Sequence, residues 1–205
     1  MYPEAITSKA KEIFNKLKNF PEFYLAGGTA LALQSGHRIS VDFDLFWENY
    51  IPKELPPKVR RIFRNFKVGV IISHPEQLTV AIDDINISFV RYPFPVILKL
   101  INYQEIKILP VLEIAAMKVY ALGRRATLKD YVDLYFILKE KRATLEKIIK
   151  LCEKKYGDEF NPRLFLEQLL YLEDVEKIEI QFLKKKAGPE EIQKFFEKEI
   201  KKIKI

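Results

Sequence analysis

Asp42 and Asp44 lie one residue apart inside a stretch, residues 39–46, in which polar and apolar positions alternate. Period-two alternation predicts a β-strand with both carboxylates on one face and Val41, Phe43 and Leu45 on the other. The two Cα atoms of such a pair are ~7 Å apart, so the side chains can converge on one or two hard divalent cations, which take oxygen ligands. Mg²⁺ is the expected ion. A solvated strand face would also explain a lone aspartate, but Asp is disfavoured in strands and the opposite face here is strongly apolar.

Ahead of this pair comes the run Ala26-Gly27-Gly28-Thr29. Its glycines let a backbone approach a ligand closely, Thr29 adds a hydroxyl, and a helix start adds unpaired N–H groups. These are the parts of a phosphate cradle. They are equally the parts of a plain turn with Thr29 as helix N-cap. A cradle beside a two-carboxylate metal site is the minimal equipment of phosphoryl or nucleotidyl transfer.

A frame must hold these residues together. The pattern predicts a helix over 7–19 ended by Pro21, a short strand over 23–26, a glycine break, a helix over 29–34 and the aspartate strand. A meander over 67–74, 77–82 and 85–91 follows, with a tight turn at Asp83-Asp84. Beyond Pro110 the character becomes helical: Val111–Leu122 stopped by Gly123, then 128–138, 145–156 closed by Gly157, 161–172 opened by Asn161-Pro162, and a last helix from Pro189. Residues 178–183 read as strand or linker. Strands first and helices afterwards predict an α+β protein, with an α/β domain over 1–108 and a helical domain over 109–205.

Lys118 stands out within its helix. Leu112, Ala115, Ala116 and Val119 fill one side of it and Ile114, Met117 and Ala121 another, so a cation there needs a reason. Lys118 and Asp130 lie at similar distances from the loop of a helical hairpin and can meet across it. The competing readings are an ion pair with Asp130 or Asp133, or a lysine that reaches out to solvent. Thr127-x-x-Asp130 also has the spacing of a capping box. His37 reads as structural, His74 has no zinc-ligand neighbours, and Cys152 reads as packed on its helix.

The 205 residues are 48% hydrophobic and 13% aromatic, which excludes disorder and fibres and gives enough apolar surface for a core. One cysteine excludes an intramolecular disulfide, and without a secretory pattern at the N-terminus a reducing cytoplasm is expected. Lys99 and Lys118 interrupt the best apolar runs, so no membrane span is expected. The net charge of +7 favours a polyanionic partner, and Lys184-Lys185-Lys186 and the lysines of 198–204 are the best candidates for contacting an RNA backbone. Adaptation to high temperature gives a similar composition.

Residues 24–46, with Gly27-Gly28-Thr29 and Asp42-Phe43-Asp44, resemble the first motif of the AbiEii/AbiGii nucleotidyltransferase toxin family, within the polymerase-β-like nucleotidyltransferase superfamily. The likeness continues through 88–95, 113–118 and 129–136, so it covers residues 20–140. It implies a nucleotidyltransferase domain with a small mixed sheet followed by a C-terminal helical domain. It also implies transfer of a nucleotide from an NTP with Mg²⁺, an acceptor that can be tRNA, and a place in a toxin–antitoxin pair with a cognate antitoxin. Carried over residue by residue, Gly27, Gly28 and Thr29 would hold phosphates and Asp42 and Asp44 would bind metal. Lys118 and Asp130 would complete the catalytic site, with Lys118 also touching the nucleotide. Arg38 would either neutralise phosphate charge or pair with an aspartate for rigidity. The superfamily usually adds a third carboxylate from a neighbouring strand, and Asn86-Ile87-Ser88-Phe89 offers none. Either two acids suffice, or Asp130 helps, or catalysis is weakened. The alternative is a catalytically inactive protein of the same fold that binds nucleotide, RNA or a protein partner.

Overall fold

The computed structural model describes residues 1–172, 175 and 179–203. Seven strands form one mixed sheet: β1 (Tyr24–Ala26), β2 (Phe43–Trp47), β3 (Val68–His74), β4 (Gln77–Ile82), β5 (Ile85–Arg91), β6 (Ile101–Tyr103) and β7 (Ile106–Ile108), in the order β3-β4-β5-β2-β1-β7-β6. β2 runs parallel to β5 and antiparallel to β1, and β1 runs parallel to β7. Helices α1 (Ser8–Phe14), α2 (Gly27–Ser35) and α3 (Leu55–Ile62) are interleaved with the strands. Then come α4 (Val111–Leu122), α5 (Leu128–Lys139), α6 (Leu145–Tyr156), α7 (Pro162–Gln168) and α8 (Pro189–Ile200). This is the expected α+β arrangement.

The pleat decides which side chains do what. Phe43 and Leu45 of β2, Ile87 and Phe89 of β5, and Leu78 and Val80 of β4 are buried on one face. Aromatic contacts seal that face: Phe14 of α1 lies 6.1 Å from Phe43, and Phe20 lies 4.9 Å edge-on from Phe89. The alternate residues form a polar row across the other face, since Asp44 is in register with Ser88 and Ser88 with Thr79. α2, α4 and α5 pack together over that side, each contacting another of the three.

Several boundaries differ from the sequence expectation. β2 starts at Phe43, so Asp42 precedes the strand and Val41 is 37% exposed instead of sharing the apolar face. α2 begins at Gly27, two residues before Thr29, which therefore is not its N-cap. α1 ends at Phe14 and is followed by a separate 3-10 turn at Leu17–Asn19, and α7 stops at Gln168. α3 is hidden in the sequence by Pro56-Pro57, which a helix tolerates in its first turn. β6 and β7 are three residues each, and their connecting residues Gln104 and Glu105 hold positive φ without the glycine or asparagine that signals such a turn. Of 178–183, Ile178 lies outside the described residues. The rest runs alongside 37–39, with the Ile39 N–H donating to the Gln181 carbonyl at 2.8 Å and the Leu183 N–H to the His37 carbonyl at 3.0 Å. No described helix is long and apolar enough to cross a membrane.

Candidate active site

β1 ends at Ala26, and Gly27, at φ +69°, swings the chain directly into α2. A Cβ on Gly27 would stand 2.5 Å from Asp44 Oδ2, and one on Gly28 would collide with the Arg38 guanidinium. The glycines thus make room first for this protein's own Asp44 and Arg38. They also let the start of α2, which no side chain caps, approach Asp44. Thr29 is buried, and its hydroxyl sits between Ser40 Oγ, at 2.7 Å, and the Asp42 carbonyl. It fastens the 40–42 segment to α2.

Asp42, just ahead of β2, and Asp44 within it line one cleft of about 680 Å³. Asp42 Oδ1 accepts the Asn86 N–H at 3.0 Å, which fixes the side chain. Asp44 is sunk deeper. Burial pushes its carboxyl above the usual range; Lys118 opposes that shift, and Asp42 adds to it. A desolvated carboxylate facing a second acid is an unfavourable arrangement that a cation between them relieves. The oxygen donors fit a hard divalent ion such as Mg²⁺. Ser88 stands beside Asp44 on the adjoining strand, so the sheet brings no third acid there. Among the described residues no group of three or more His, Cys, Asp or Glu is placed to hold a metal.

The wall opposite the carboxylates is an ion-pair network. Lys118 Nζ lies 2.7 Å from Asp130 Oδ1 and 2.8 Å from Asp133 Oδ2. Asp133, fully buried, also accepts from Arg38 Nε at 2.8 Å and Nη2 at 3.0 Å, and lies 2.8 Å from His37 Nε2. Burial alone would raise the Asp133 carboxyl, but Arg38, Lys118 and His37 hold it well below the usual range. Asp130 takes its second bond from the Thr127 hydroxyl at 2.7 Å, so the pair does not form the capping box that its spacing allows. Arg38 makes the rigid pair that the sequence left open.

The family model for the AbiEii toxin nucleotidyl transferase of type IV toxin–antitoxin systems matches residues 12–202. The chain belongs to this family. It is 30% identical over 182 residues to the uncharacterized protein aq_aa25 of Aquifex aeolicus strain VF5, covering 88% of this chain and 87% of that one. Its fold matches a proposed nucleotidyltransferase from H. pylori, with TM-score 0.59, 19% identity and 96% of each chain covered. It also matches JHP933 from Helicobacter pylori, with TM-score 0.53, 16% identity, and 96% of this chain and 97% of that chain covered.

In this AbiEii-family nucleotidyltransferase, Gly28, Thr29, Arg38, Asp42, Asp44, Lys118 and Asp130 all line the same cleft, with Gly27 on its adjoining lobe. Asp133, which the sequence offered only as an alternative ion-pair partner of Lys118, is the centre of the network, three residues from Asp130 on one helix face. Sequence reasoning missed two other groups. Arg125 and Lys129 line the cleft from the α4–α5 loop and the start of α5, flagged only by local basic charge. Ser40 became legible only through its bond to Thr29.

Proposed function

We propose that this nucleotidyltransferase is a toxin that moves a nucleotide from an NTP to an RNA acceptor, tRNA foremost, with Mg²⁺, in the cytoplasm and against a cognate antitoxin. One observation supports this reading above the others: Asp44, desolvated, shares a cleft with Asp42 at the uncapped start of α2.

In this reading Asp42 and Asp44 hold the metal, and α2 together with Gly27 and Gly28 receives the triphosphate. A Mg²⁺ ion held by these two carboxylates would supply positive charge next to the acceptor hydroxyl and the pyrophosphate. Lys118, shared between Asp130 and Asp133, keeps a fixed positive charge facing the phosphates. Thr29 and Arg38 act by holding the 38–42 segment in place. The acceptor hydroxyl gives up its proton to solvent, its oxygen bonds to the α-phosphorus, the bond from that phosphorus to the bridging oxygen breaks, and pyrophosphate leaves in line. No protein nucleophile is required. Arg125 and Lys129 at the mouth, with Lys185 and Lys186, suit the acceptor's phosphates. The division at 108/109 then puts the metal acids in the α/β domain and Lys118 and Asp130 in the helical one.

The test is incubation of the protein with each α-phosphate-labelled NTP, Mg²⁺ and total tRNA. Label in the RNA supports the proposal. NTP binding without any transfer to tRNA or other RNA would favour a nucleotide-binding protein instead.

A further inference from the structure

Residues 55–75 contain five Lys or Arg and no Asp or Glu, so this stretch holds five of the chain's seven net positive charges. It comprises α3, a short connection and β3. Lys58 pairs with Glu22 at 3.5 Å. Arg60, Arg61, Arg64 and Lys67 are exposed and, among the described residues, have no acidic partner. Asp83 accepts the Lys67 backbone N–H at 2.9 Å, but its charge already faces Lys9 at 3.4 Å.

β3 ends the sheet on its side: β4 pairs with one edge of it, and no described strand pairs with the other. Its outer N–H and C=O groups are therefore open, a template for another chain. Val70, Ile71 and Ile72 are 44%, 57% and 41% exposed, three consecutive large apolar side chains at that edge. Residues 68–73 carry neither a charge nor a proline, the usual guards of a sheet edge. The guard that is present is a bulge between Val70 and Ile72, which bends the strand, and Ile71 and Ile72 both border the catalytic cleft.

We propose that the open edge of β3 is a docking strand for an extended segment of a partner protein in which apolar and acidic side chains alternate. The segment's backbone would pair with β3, its apolar side chains would cover Val70, Ile71 and Ile72, and its carboxylates would reach Lys67, Arg64 and the α3 arginines. Charge argues against a second copy of this chain, because the same acid-free stretch would be brought up to itself. Two bent edges also diverge, whereas a flexible segment follows the bend. RNA matches the cations but not the edge: Val70, Ile71 and Ile72 offer no ring on which a base can stack, and open backbone groups are best met by another backbone. Because Ile71 and Ile72 border the cleft, the docked segment would stand at its mouth and obstruct the acceptor. That consequence alone rests on the function proposed above.

The probe is a capped, fluorescently labelled peptide of alternating glutamate and valine, matched to the seven residues of β3 and added without NTP, Mg²⁺ or RNA, so that the result does not depend on catalysis. Anisotropy should show saturable binding, and amide hydrogen exchange should slow across 68–74. The same peptide with every amide N-methylated keeps its charge but cannot donate, and should bind about tenfold or more weakly. The unmethylated peptide should lose as much on the Arg64→Glu, Lys67→Glu protein. No binding at low salt, or equal binding of the N-methylated peptide, would overturn the proposal. Slowed exchange across 68–74 with oligouridylate in place of the peptide would overturn it in favour of RNA. A parent protein that sediments as a dimer, and as a monomer after Val70→Lys, would overturn it in favour of a second copy. With the peptide saturating, label transfer to RNA should fall, and undiminished transfer by an active protein would overturn the obstruction.

Discussion

The Lys118 ammonium stands 2.7 Å from the Asp130 carboxylate and ties the two arms of the α4–α5 hairpin together at the wall of the cleft. Lys118→Met leaves Asp130 with Thr127 alone and takes one cation from Asp133. It is expected to cost about 3–5 kcal/mol of stability and to lower transfer by orders of magnitude. Urea unfolding alongside a transfer assay checks both. The double variant Lys118→Met, Asp130→Leu should regain stability without regaining transfer. Full transfer in the double variant would remove both residues from the catalytic assignment.

Asp133 is the shared counter-ion of Arg38 and Lys118, and the structure puts it at the centre of the network. Asp133→Asn keeps the shape and removes the charge, so two buried cations lose their main partner and stability should fall by about 3–5 kcal/mol. Despite burial, Arg38, Lys118 and His37 hold the Asp133 carboxyl well below its unfolded value. Its stabilisation is therefore complete above the unfolded pKa and is lost as pH falls through the lower folded one. Unfolding curves of parent and variant should converge in strong acid. A constant gap at all pH values would assign the loss to something other than charge.

Asp44 behaves oppositely. Burial raises its carboxyl, with Lys118 opposing and Asp42 adding to the shift, so the folded protein binds a proton there more readily than the unfolded chain does. Its contribution lowers stability as pH rises from the unfolded value through the folded one. A cation must displace that proton. Mg²⁺ affinity measured by calorimetry should fall as pH drops through the raised value, with proton release on binding, and Asp44→Asn should abolish both effects. Affinity that is flat from neutral to acid pH would contradict the assigned ligand.

The glycines separate two roles that their sequence merges. Gly27→Ala meets both a positive φ and the Asp44 carboxylate, and should cost about 1–3 kcal/mol. Gly28→Ala displaces the Arg38 guanidinium and should loosen the Asp133 network. Thermal unfolding of both variants, with and without NTP, checks this. Stability unchanged in both would show that the close approach is not needed.

The strand, turn and helix that carry the carboxylates were legible because period-two alternation and a Gly-Gly break are local signals. Hairpin geometry put Lys118 within reach of Asp130 but left Asp133 and solvent as alternative partners, which only the packing of α4 on α5 decides. Asp133 was harder, because its partners Arg38 and His37 lie far away in the chain and only the packing of α5 on α2 unites them. β6 and β7 were too short to show a period, and the prolines of α3 masked a helix start. The glycines were read as room for a phosphate, whereas the side chains that fill that room, Asp44 and Arg38, are themselves part of the site.

The central claim is that the Asp42–Asp44 pair supports metal-dependent nucleotide transfer, and the most direct measurement is the initial rate of label transfer from NTP to RNA by the parent protein and by Asp44→Asn of equal thermal stability. The account predicts transfer by the parent that requires added Mg²⁺ and stops in excess chelator, and none above background from Asp44→Asn. Transfer by Asp44→Asn at the parent rate, or a parent rate undiminished in chelator, would contradict it.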